Sequence, residues 1–379
     1  MANANDFMFF FSSYLGINPS KGCNLGCGYC ILDRDNPNPK KVVRNETAKF
    51  TLDRILKDQR VSKTNALAFY NVSDPFLKGN IANLLEILEG MEEHEQENIA
   101  VLITKSNPDR VDKSLDALTR ISRLKKVKPV IMVTYANVPK KVEPTSSSAR
   151  IELMKRCKEL GIPIVQYARP LWEEWTPRDK VREMAEQVAN IVDAVVVGGV
   201  VVTDGIKKQL KERGVPIPPW NNNKGRYLSS EYRQFFIDTY QRKNPDIAIF
   251  TNSSCGISYA VGIPNYMGYY WRFAKRESNG VCTKPCNPEQ RERCATAKPS
   301  INAYNNDTQK KDIETEIKKV KAWLKYFKAD RSMFRIKEGY VNIFARLDRQ
   351  ESRMMRQHTG MYIYFDGSMH RLREKAHIL

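Results

Sequence analysis

The most informative segment of the chain is Cys23-Asn24-Leu25-Gly26-Cys27-Gly28-Tyr29-Cys30, which spaces three cysteines as Cys-x3-Cys-x2-Cys. Thiolate is the protein ligand of iron–sulfur clusters, and glycine lets the backbone wrap closely around a bound group. Three thiolates in so short a loop can hold a [4Fe-4S] cube and leave one iron without a protein ligand. A zinc loop and structural thiols are the alternatives. Zinc usually takes four ligands, and no histidine or fourth cysteine lies near Cys30.

Composition bounds the class of protein around this loop. The 379 residues include 62 Lys+Arg and 43 Asp+Glu, a formal net charge of +19, which favours polyanions such as DNA, RNA or nucleotides. Eight clustered cysteines indicate metal ligation in a reducing compartment, so we expect a cytoplasmic protein. No uncharged apolar run reaches the ~20 residues that span a bilayer, so no membrane partner is expected. The Phe7–Phe11 run lacks the basic flank of a signal peptide.

Short apolar runs alternate with helical patterns after the cysteine loop, which predicts βα units around a parallel sheet. Six strands are predicted, at residues 14–17, 66–70, 99–104, 130–134, 164–167 and 193–197. With the cysteine loop after the first strand, they predict an α/β fold, a partial (β/α)6 TIM-type barrel. The active site of such a barrel lies at the C-terminal ends of its strands.

Three domains are predicted along the chain. The barrel takes residues 1–250, a cysteine-rich metal module takes 251–299, and a basic helix plus hairpin appendage takes 300–379. The appendage contains a helix at 312–328, marked by an apolar stripe with alternating spacings of four and three residues, and a hairpin at 361–373 with an Asp366-Gly367 turn.

Short motifs follow the predicted strands in a recognisable order: Asn18-Pro19, Ser73-Asp74-Pro75, Thr104-Lys105-Ser106 and Glu143-Pro144. Together with the cysteine loop they resemble the radical S-adenosylmethionine (SAM) superfamily, nearest to its branch of spore photoproduct lyase and DNA-repair-photolyase-like proteins. The resemblance covers about the first 200 residues. It implies that SAM binds the open iron of a [4Fe-4S] cluster and is cleaved to a 5′-deoxyadenosyl radical, which abstracts hydrogen from substrate. An electron donor such as flavodoxin or ferredoxin is the implied partner.

The same resemblance implies which residues contact the cofactors. Cys23, Cys27 and Cys30 bind the cluster, and the implied SAM contacts are Tyr29, Ser73, Asp74, Lys105, Ser106 and Arg169. Tyr29 lies near the adenine, Ser73 and Asp74 receive the amino group, and the other three meet the carboxylate or ribose. Two alternatives stay open: Ser73-Asp74-Pro75 forms a turn in which Asp74 caps a helix, and Lys105 and Arg169 bind substrate phosphate.

A second cysteine group consists of Cys255, Cys282, Cys286 and Cys294. Four ligands complete a metal site, so this group predicts an auxiliary [4Fe-4S] cluster, with a structural zinc clamp as the main alternative and free thiols as the third. The remaining cysteine, Cys157, falls on an apolar helix face and is predicted to lie in the core.

These features predict a radical SAM enzyme that acts on DNA, RNA or a nucleotide. Two other functions remain open. One is a radical SAM maturase that modifies a peptide or protein with help from the auxiliary cluster. The other is a non-enzymatic, metal-containing nucleic-acid-binding protein. The sequence names no hydrogen donor to a product radical, so the catalytic residues are unassigned.

Overall fold

The computed structural model describes residues 7–30, 43–44, 46–62, 65–219, 227–265, 286–296, 308–329, 332–337, 340–344, 347, 349–359 and 363–365. The chain forms two compact units, each assembled from three segments. Unit 1 comprises Met1–Phe9, Gly16–Leu52 and Leu67–Gly262. Unit 2 comprises Phe10–Leu15, Asp53–Ala66 and Ile263–Leu379. The predicted domain limits at residues 250 and 299 stay a prediction.

An eight-stranded sheet is the frame of the fold. In chain order the strands up to residue 250 are β1 (Met8–Phe10), β2 (Leu15–Ile17), β3 (Ser20–Lys21), β4 (Val43–Arg44), β5 (Ala66–Phe69), β6 (Ile99–Thr104), β7 (Lys128–Thr134), β8 (Ile164–Ala168), β9 (Ala194–Val197) and β10 (Ala248–Phe250). The sheet has the order β1-β2-β5-β6-β7-β8-β9-β10, and the pairs from β6 to β10 are parallel. This mostly parallel sheet, with its strands in chain order, agrees with the predicted partial barrel.

Helices fill the connections between these strands. They are α1 (Ala48–Lys57), α2 (Ile81–Glu93), α3 (Pro108–Val111), α4 (Ala117–Ser122), α5 (Ser147–Glu159), α6 (Arg178–Val188), α7 (Asp204–Glu212), α8 (Ser230–Lys243) and α9 (Ser253–Val261). Side-chain caps start several of them: the Ser146 hydroxyl accepts from the Ala149 N–H at the start of α5, and Thr203 does the same for α7. Among the described residues, no helix has the length and apolarity that a bilayer crossing requires.

The central strands are buried because their residues are almost entirely apolar, as expected for a parallel sheet covered on both faces. All six predicted strands are present, each within two residues of its predicted limits. The last βα unit, β10 with α9, was not predicted. Gly256 of α9 lies so close to Val196 of β9 that any side chain at this position would collide with the valine. Cys157 is fully buried, which confirms its assignment to the core.

Unit 2 contains α10 (Pro288–Thr296), α11 (Thr308–Tyr326), β11 (Met333–Lys337), β12 (Tyr340–Phe344), α12 (Arg349–Thr359) and β13 (Ile363–Phe365). Its three-stranded sheet pairs β11 with β12 in antiparallel and β12 with β13 in parallel orientation. The predicted helix at 312–328 is confirmed as α11, which buries Val320, Trp323 and Leu324. Of the predicted hairpin, only Ile363–Phe365 belongs to the described residues, and the remainder of 361–373 lies outside them.

A histidine lies at the centre of unit 2. The imidazole of His358 stacks on Trp323 with ring centroids 5.4 Å apart and meets the edge of Phe10 at 5.5 Å. Nε2 lies 2.7 Å from the carbonyl oxygen of Phe11, and Nδ1 lies 3.0 Å from the amide nitrogen of Asn65. These contacts assign the tautomer, since Nε2–H must donate to the carbonyl and Nδ1 must accept from the amide. The neutral ring is therefore fully hydrogen-bonded.

We expect this histidine to make unit 2 sensitive to acid. Burial lowers the pKa of His358 to about 4, against about 6.5 in an unfolded chain. The unfolded state therefore binds the proton first, so the stability contributed by neutral His358 is complete above about pH 6.5 and is lost as the pH falls towards 4. The difference in unfolding free energy between wild type and His358→Gln should shrink by about 2 kcal/mol from pH 7.5 to pH 5. Urea unfolding at both pH values measures it.

The matched control is His94→Gln, which removes an exposed imidazole and should leave the pH dependence as in the wild type. A difference between wild type and His358→Gln that stays constant over this pH range would contradict the prediction.

Candidate functional site

The cysteine loop leaves the sheet just after β2 and is closed at its base by a short ribbon. Ser20 and Lys21 of β3 pair antiparallel with Arg44 and Val43 of β4. Gly26 has a φ of 70°, a conformation that L side chains rarely adopt and glycine adopts readily. This explains the glycine between the first two cysteines.

Two hydrogen bonds anchor the loop to the C-terminal edge of the sheet. The Gly28 N–H donates to the Val142 carbonyl at 2.8 Å, and the Ser73 hydroxyl donates to the Gly22 carbonyl at 2.6 Å. Val142 belongs to the connection that follows β7, and Ser73 to the one that follows β5. The loop therefore lies at the strand ends, where the barrel architecture places an active site.

The cysteine side chains of the loop are half-buried. Burial raises the pKa of Cys23 and of Cys27 to about 12, and the ammonium of Lys105 opposes the rise at both. Such thiols become thiolates when a metal supplies the positive charge. Three thiols from one glycine-bearing loop are a donor set that fits a [4Fe-4S] cluster. Within the described ranges, no three His, Cys, Asp or Glu side chains are grouped closely enough to hold a metal ion, so the ligand set stays a prediction.

Tyr29, between the second and third cysteines, is held by a buried ion pair. Its hydroxyl donates to one carboxylate oxygen of Glu143, and the other carboxylate oxygen accepts from the guanidinium of Arg150. The side chains of Glu143 and Arg150 are only 2% and 1% exposed. Arg150 also donates to the Thr134 carbonyl at 2.8 Å, at the end of β7. The phenol, the carboxylate and the guanidinium thus connect the cysteine loop to the sheet.

Lys105 lies over the ring of Tyr29. Its ammonium lies 5.6 Å from the centre of the Tyr29 ring, within the range of a cation–π interaction. The structure thus places Tyr29 and Lys105 beside each other, and their predicted contacts with SAM stay a prediction.

The carboxylate of Asp74 is buried and directed into the protein interior. It accepts hydrogen bonds from the Phe76 N–H at 2.9 Å, the Thr104 hydroxyl at 2.8 Å and the Lys105 N–H at 2.7 Å. Burial raises the pKa of Asp74, and these three donors oppose the rise. The carboxylate ties the end of β5 to the end of β6, which corresponds to the turn interpretation of Ser73-Asp74-Pro75. A SAM contact by Asp74 stays a prediction.

Ser73 and Ser106 also have protein partners. The Ser73 hydroxyl, which donates to Gly22, accepts from the Asn80 amide at 3.2 Å. The backbone N–H of Ser106 donates to the Thr104 hydroxyl at 2.9 Å, and that hydroxyl lies 3.1 Å from the Ser106 carbonyl. Both serines are placed at strand ends near Asp74, and their predicted contacts with SAM stay untested.

Arg169 lies at the end of β8 and spans three strand ends. Its guanidinium donates to the Tyr167 hydroxyl at 2.9 Å, to the Val197 carbonyl at 3.4 Å and to the Thr251 carbonyl at 2.7 Å. The guanidinium packs against Gly198, where any side chain would collide with it. Its buried Nε–H has no hydrogen-bond partner in the described part of the chain, so one donor remains for a further group. The predicted contact with SAM or phosphate stays open.

The second cysteine group is divided between the two units. Cys255 lies in the first turn of α9 in unit 1, Cys286 and Cys294 belong to unit 2, and Cys282 lies outside the described residues. The sulfur of Cys294 accepts from the Asn265 N–H at 3.3 Å and from the Gln290 amide at 3.4 Å. Donors of this kind accompany metal-bound sulfur, although a thiol also accepts them. One site formed by all four cysteines stays a prediction.

Sequence reasoning missed Arg150, Arg213 and Trp175. Arg150 neutralises Glu143, while the Arg213 guanidinium packs against Gly28 inside the cysteine loop. Trp175 lies 6.4 Å from Tyr29, ring centre to ring centre, in an apolar cluster beyond the strand ends. Glu143 lies in a connection and Arg150 in a helix, so the sequence contains no periodic signal that pairs them. No local pattern signals the other two contacts either.

Comparison with known proteins gives a likeness at the level of the fold. No family model and no curated protein matches the chain. A spore photoproduct lyase mutant with dinucleoside spore photoproduct matches with a TM-score of 0.51 at 15% identity, over 64% of this chain and 79% of that one. A second mutant of the lyase, with bound AdoMet and the same dinucleoside, matches with a TM-score of 0.50 at 16% identity, over 64% and 77%.

A third match is SuiB of Streptococcus suis bound to S-adenosylmethionine, with a TM-score of 0.43 at 15% identity, over 65% of this chain and 52% of that one. The chain therefore spans about half the length of SuiB. At these identities the likeness shows the fold alone, and the TM-score of SuiB is too low to support more. The partial-barrel prediction is confirmed by the two lyase matches.

Proposed function

We infer that this chain belongs to the radical SAM superfamily, because it has the fold of spore photoproduct lyase and carries the cysteine spacing of the superfamily in Cys23–Cys30. The observation that carries the inference is the place of that loop. Hydrogen bonds from Gly28 to Val142 and from Ser73 to Gly22 hold it at the C-terminal strand ends. A three-thiol loop at this edge of such a sheet is the arrangement that a radical SAM enzyme needs.

The proposed enzyme binds a [4Fe-4S] cluster through Cys23, Cys27 and Cys30. When bound, such a cluster would supply the electron, delivered by a flavodoxin or ferredoxin, for reductive cleavage of SAM to methionine and the 5′-deoxyadenosyl radical that abstracts hydrogen from substrate. Lys105 supplies a positive charge beside the thiolates, and Arg150 with Glu143 fixes Tyr29 within the loop. Ser73, Asp74, Ser106 and Arg169 stand at neighbouring strand ends, where SAM is expected to lie.

The proposed substrate is a nucleic acid or nucleotide. The net charge of +19 supports a polyanionic partner, and structures of the lyase with the same fold contain a dinucleoside photoproduct. A reducing compartment, the cytoplasm, is proposed because the cluster and free thiols require it.

Anaerobic reconstitution with iron and sulfide, followed by reduction in the presence of SAM, tests this function. We expect 5′-deoxyadenosine to form and its yield to change when single-stranded or duplex oligonucleotide is added at low salt. Absence of 5′-deoxyadenosine from a fully reconstituted protein would exclude the radical SAM activity. Formation that no oligonucleotide alters would exclude the nucleic-acid substrate and favour a peptide or protein as the alternative.

We further propose that Cys255, Cys282, Cys286 and Cys294 bind a second [4Fe-4S] cluster. The two N–H groups directed at the Cys294 sulfur support a metal-bound thiolate at that position. The reconstituted wild type should then contain about eight irons per chain, and Cys282→Ala/Cys286→Ala about four. Iron, sulfide and zinc are measured on the same samples to identify the metal. About four irons and one zinc per chain would show that the second cysteine group binds zinc and not a cluster.

A further inference from the structure

A group of basic side chains in unit 1 borders the cysteine loop. We call it the basic ridge and define it as Lys140, Lys141, Lys208, Lys211 and Arg213. Arg213 forms its inner end: its guanidinium donates to the Lys141 carbonyl at 3.1 Å and packs against the loop, where a Cβ atom built on Gly28 would lie 3.2 Å from the Arg213 Nε. The ridge therefore begins at the backbone between Cys27 and Cys30.

Apolar packing fixes the ridge in place. Ile206 and Leu210 of α7 are buried in one cluster with Val138 and Val142, so α7 lies against the connection that follows β7. The Val142 N–H donates to the Pro139 carbonyl at 2.8 Å, which makes a tight turn with Lys140 and Lys141 exposed at its tip. Lys208 and Lys211, three residues apart on α7, share its exposed face. The five cations thus stand on a supported surface.

The charges of the ridge differ from other cations of unit 1 in their pairing. In the part of the chain that the structure describes, no ion pair involves any of its five members, whereas Arg110, Arg120 and Lys180 elsewhere in unit 1 are each paired with a glutamate. The carboxylate nearest in sequence to Lys141, Glu143, is buried and neutralised by Arg150. Within α7 itself, three lysines, Lys207, Lys208 and Lys211, outnumber the two acids, Asp204 and Glu212. The ridge attracts anions while leaving few of its charges internally compensated.

We propose that the basic ridge binds the phosphate backbone of a nucleic-acid strand and holds it against the cysteine loop. The proposal rests on the proposed function, and it adds a surface through which the substrate is held. Phosphates along a strand suit a row of lysines ending in an arginine, since lysine binds phosphate as a point charge and arginine presents a planar fork. Contacts of this kind position a strand without reading its sequence. They also leave its bases uncovered for chemistry at the loop.

The test is fluorescence anisotropy of a labelled single-stranded oligonucleotide with the reconstituted full chain at a series of salt concentrations. The variant Lys140→Gln/Lys141→Gln/Lys211→Gln removes three exposed charges and retains Arg213, which packs on the loop. We expect its affinity at 0.1 M salt to fall at least about tenfold, and the slope of log K against log salt to become shallower by about two. Circular dichroism and the urea midpoint verify that the variant is folded.

The matched control is Lys128→Gln/Lys155→Gln/Lys158→Gln, which removes three exposed charges at the opposite edge of the sheet. Lys128 is the first residue of β7, and Lys155 and Lys158 lie in the last turns of α5, which returns to the start of β8. This control should bind as the wild type does. Equal losses in both variants, or an unchanged salt slope in the ridge variant, would overturn the proposal.

Competition identifies the kind of anion that the ridge binds. An unlabelled oligonucleotide should displace the probe at lower concentration than polyglutamate of equal charge, and equal potency would overturn the nucleic-acid assignment. Formation of 5′-deoxyadenosine without oligonucleotide is measured in parallel on the wild type. Its absence would defeat the proposed radical chemistry while binding at the ridge remained measurable, so the two failures are distinguishable.

Discussion

Replacing Cys23, Cys27 and Cys30 together by alanine is expected to abolish 5′-deoxyadenosine formation and to lower the iron content by about four per chain. The loop supplies three thiols, and no other cysteine belongs to the described residues between Gly22 and Cys30. In the proposed enzyme these three thiols are the protein ligands of the cluster, so their removal should prevent cluster binding. The measurements are iron and sulfide per chain, and chromatography of the nucleoside product after reduction.

Cys157→Ala is the control, because this thiol lies on the buried face of α5 and is not part of the cysteine loop. It should retain the wild-type iron content and product yield, at the cost of a small loss of stability. Persistent 5′-deoxyadenosine in the triple variant would contradict the proposed ligand set. If iron fell by four but the product persisted, a different cluster would have to be the source of electrons.

Glu143→Ala is expected to lower the free energy of unfolding by about 3–5 kcal/mol. The substitution leaves the guanidinium of Arg150 buried without its counter-ion, and it removes the acceptor of the Tyr29 hydroxyl. Removing one member of a buried ion pair is costly because the remaining charge is neither solvated nor neutralised. Urea unfolding followed by tryptophan fluorescence measures the loss, since Trp172 and Trp175 lie in one apolar cluster with Val142, the residue before Glu143.

Two further variants separate the contributions to this effect. Tyr29→Phe keeps the ion pair and removes one hydrogen bond, which should cost about 1 kcal/mol. Glu152→Ala breaks a surface ion pair, in which the side chain of Arg110 is 49% exposed and that of Glu152 is 51% exposed. This substitution should lower the free energy of unfolding by less than about 1 kcal/mol. A loss at Glu143 no larger than that at Glu152 would show that the buried pair adds nothing beyond a surface pair.

The sheet could be predicted because its strands are continuous apolar runs. Ile99–Thr104 is buried at nearly every position, and both its limits agree with the prediction. The cysteine loop was predictable because its residues are consecutive. Two strands of the sheet were not predicted, Met8–Phe10 and Ala248–Phe250, and each has only three residues. So short a run carries too little periodic signal to be distinguished from a loop.

The contacts within the candidate site could be predicted only in part. Sequence order indicated that Tyr29 and Lys105 lie at strand ends, and in the structure the Lys105 ammonium lies 5.6 Å from the centre of the Tyr29 ring. It could not indicate that Asp74 turns inward to accept from Thr104 and Lys105, because that depends on how β5 lies against β6. Tertiary packing determines whether Asp74 is a turn residue or a ligand, and the tripeptide Ser73-Asp74-Pro75 alone does not predict that packing.

The interleaving of the two units limits how the protein can be dissected. Phe10 and Asn65, which contact Trp323 and His358, belong to segments of unit 2 that lie early in the chain. A truncation after Gly262 would therefore retain those two residues and delete their partners. It would expose the ring of Phe10 and leave the amide of Asn65 without the imidazole. Truncated expression products ending near residue 262 should therefore aggregate, because each unit alternates with the other along the chain and no single cut separates the two.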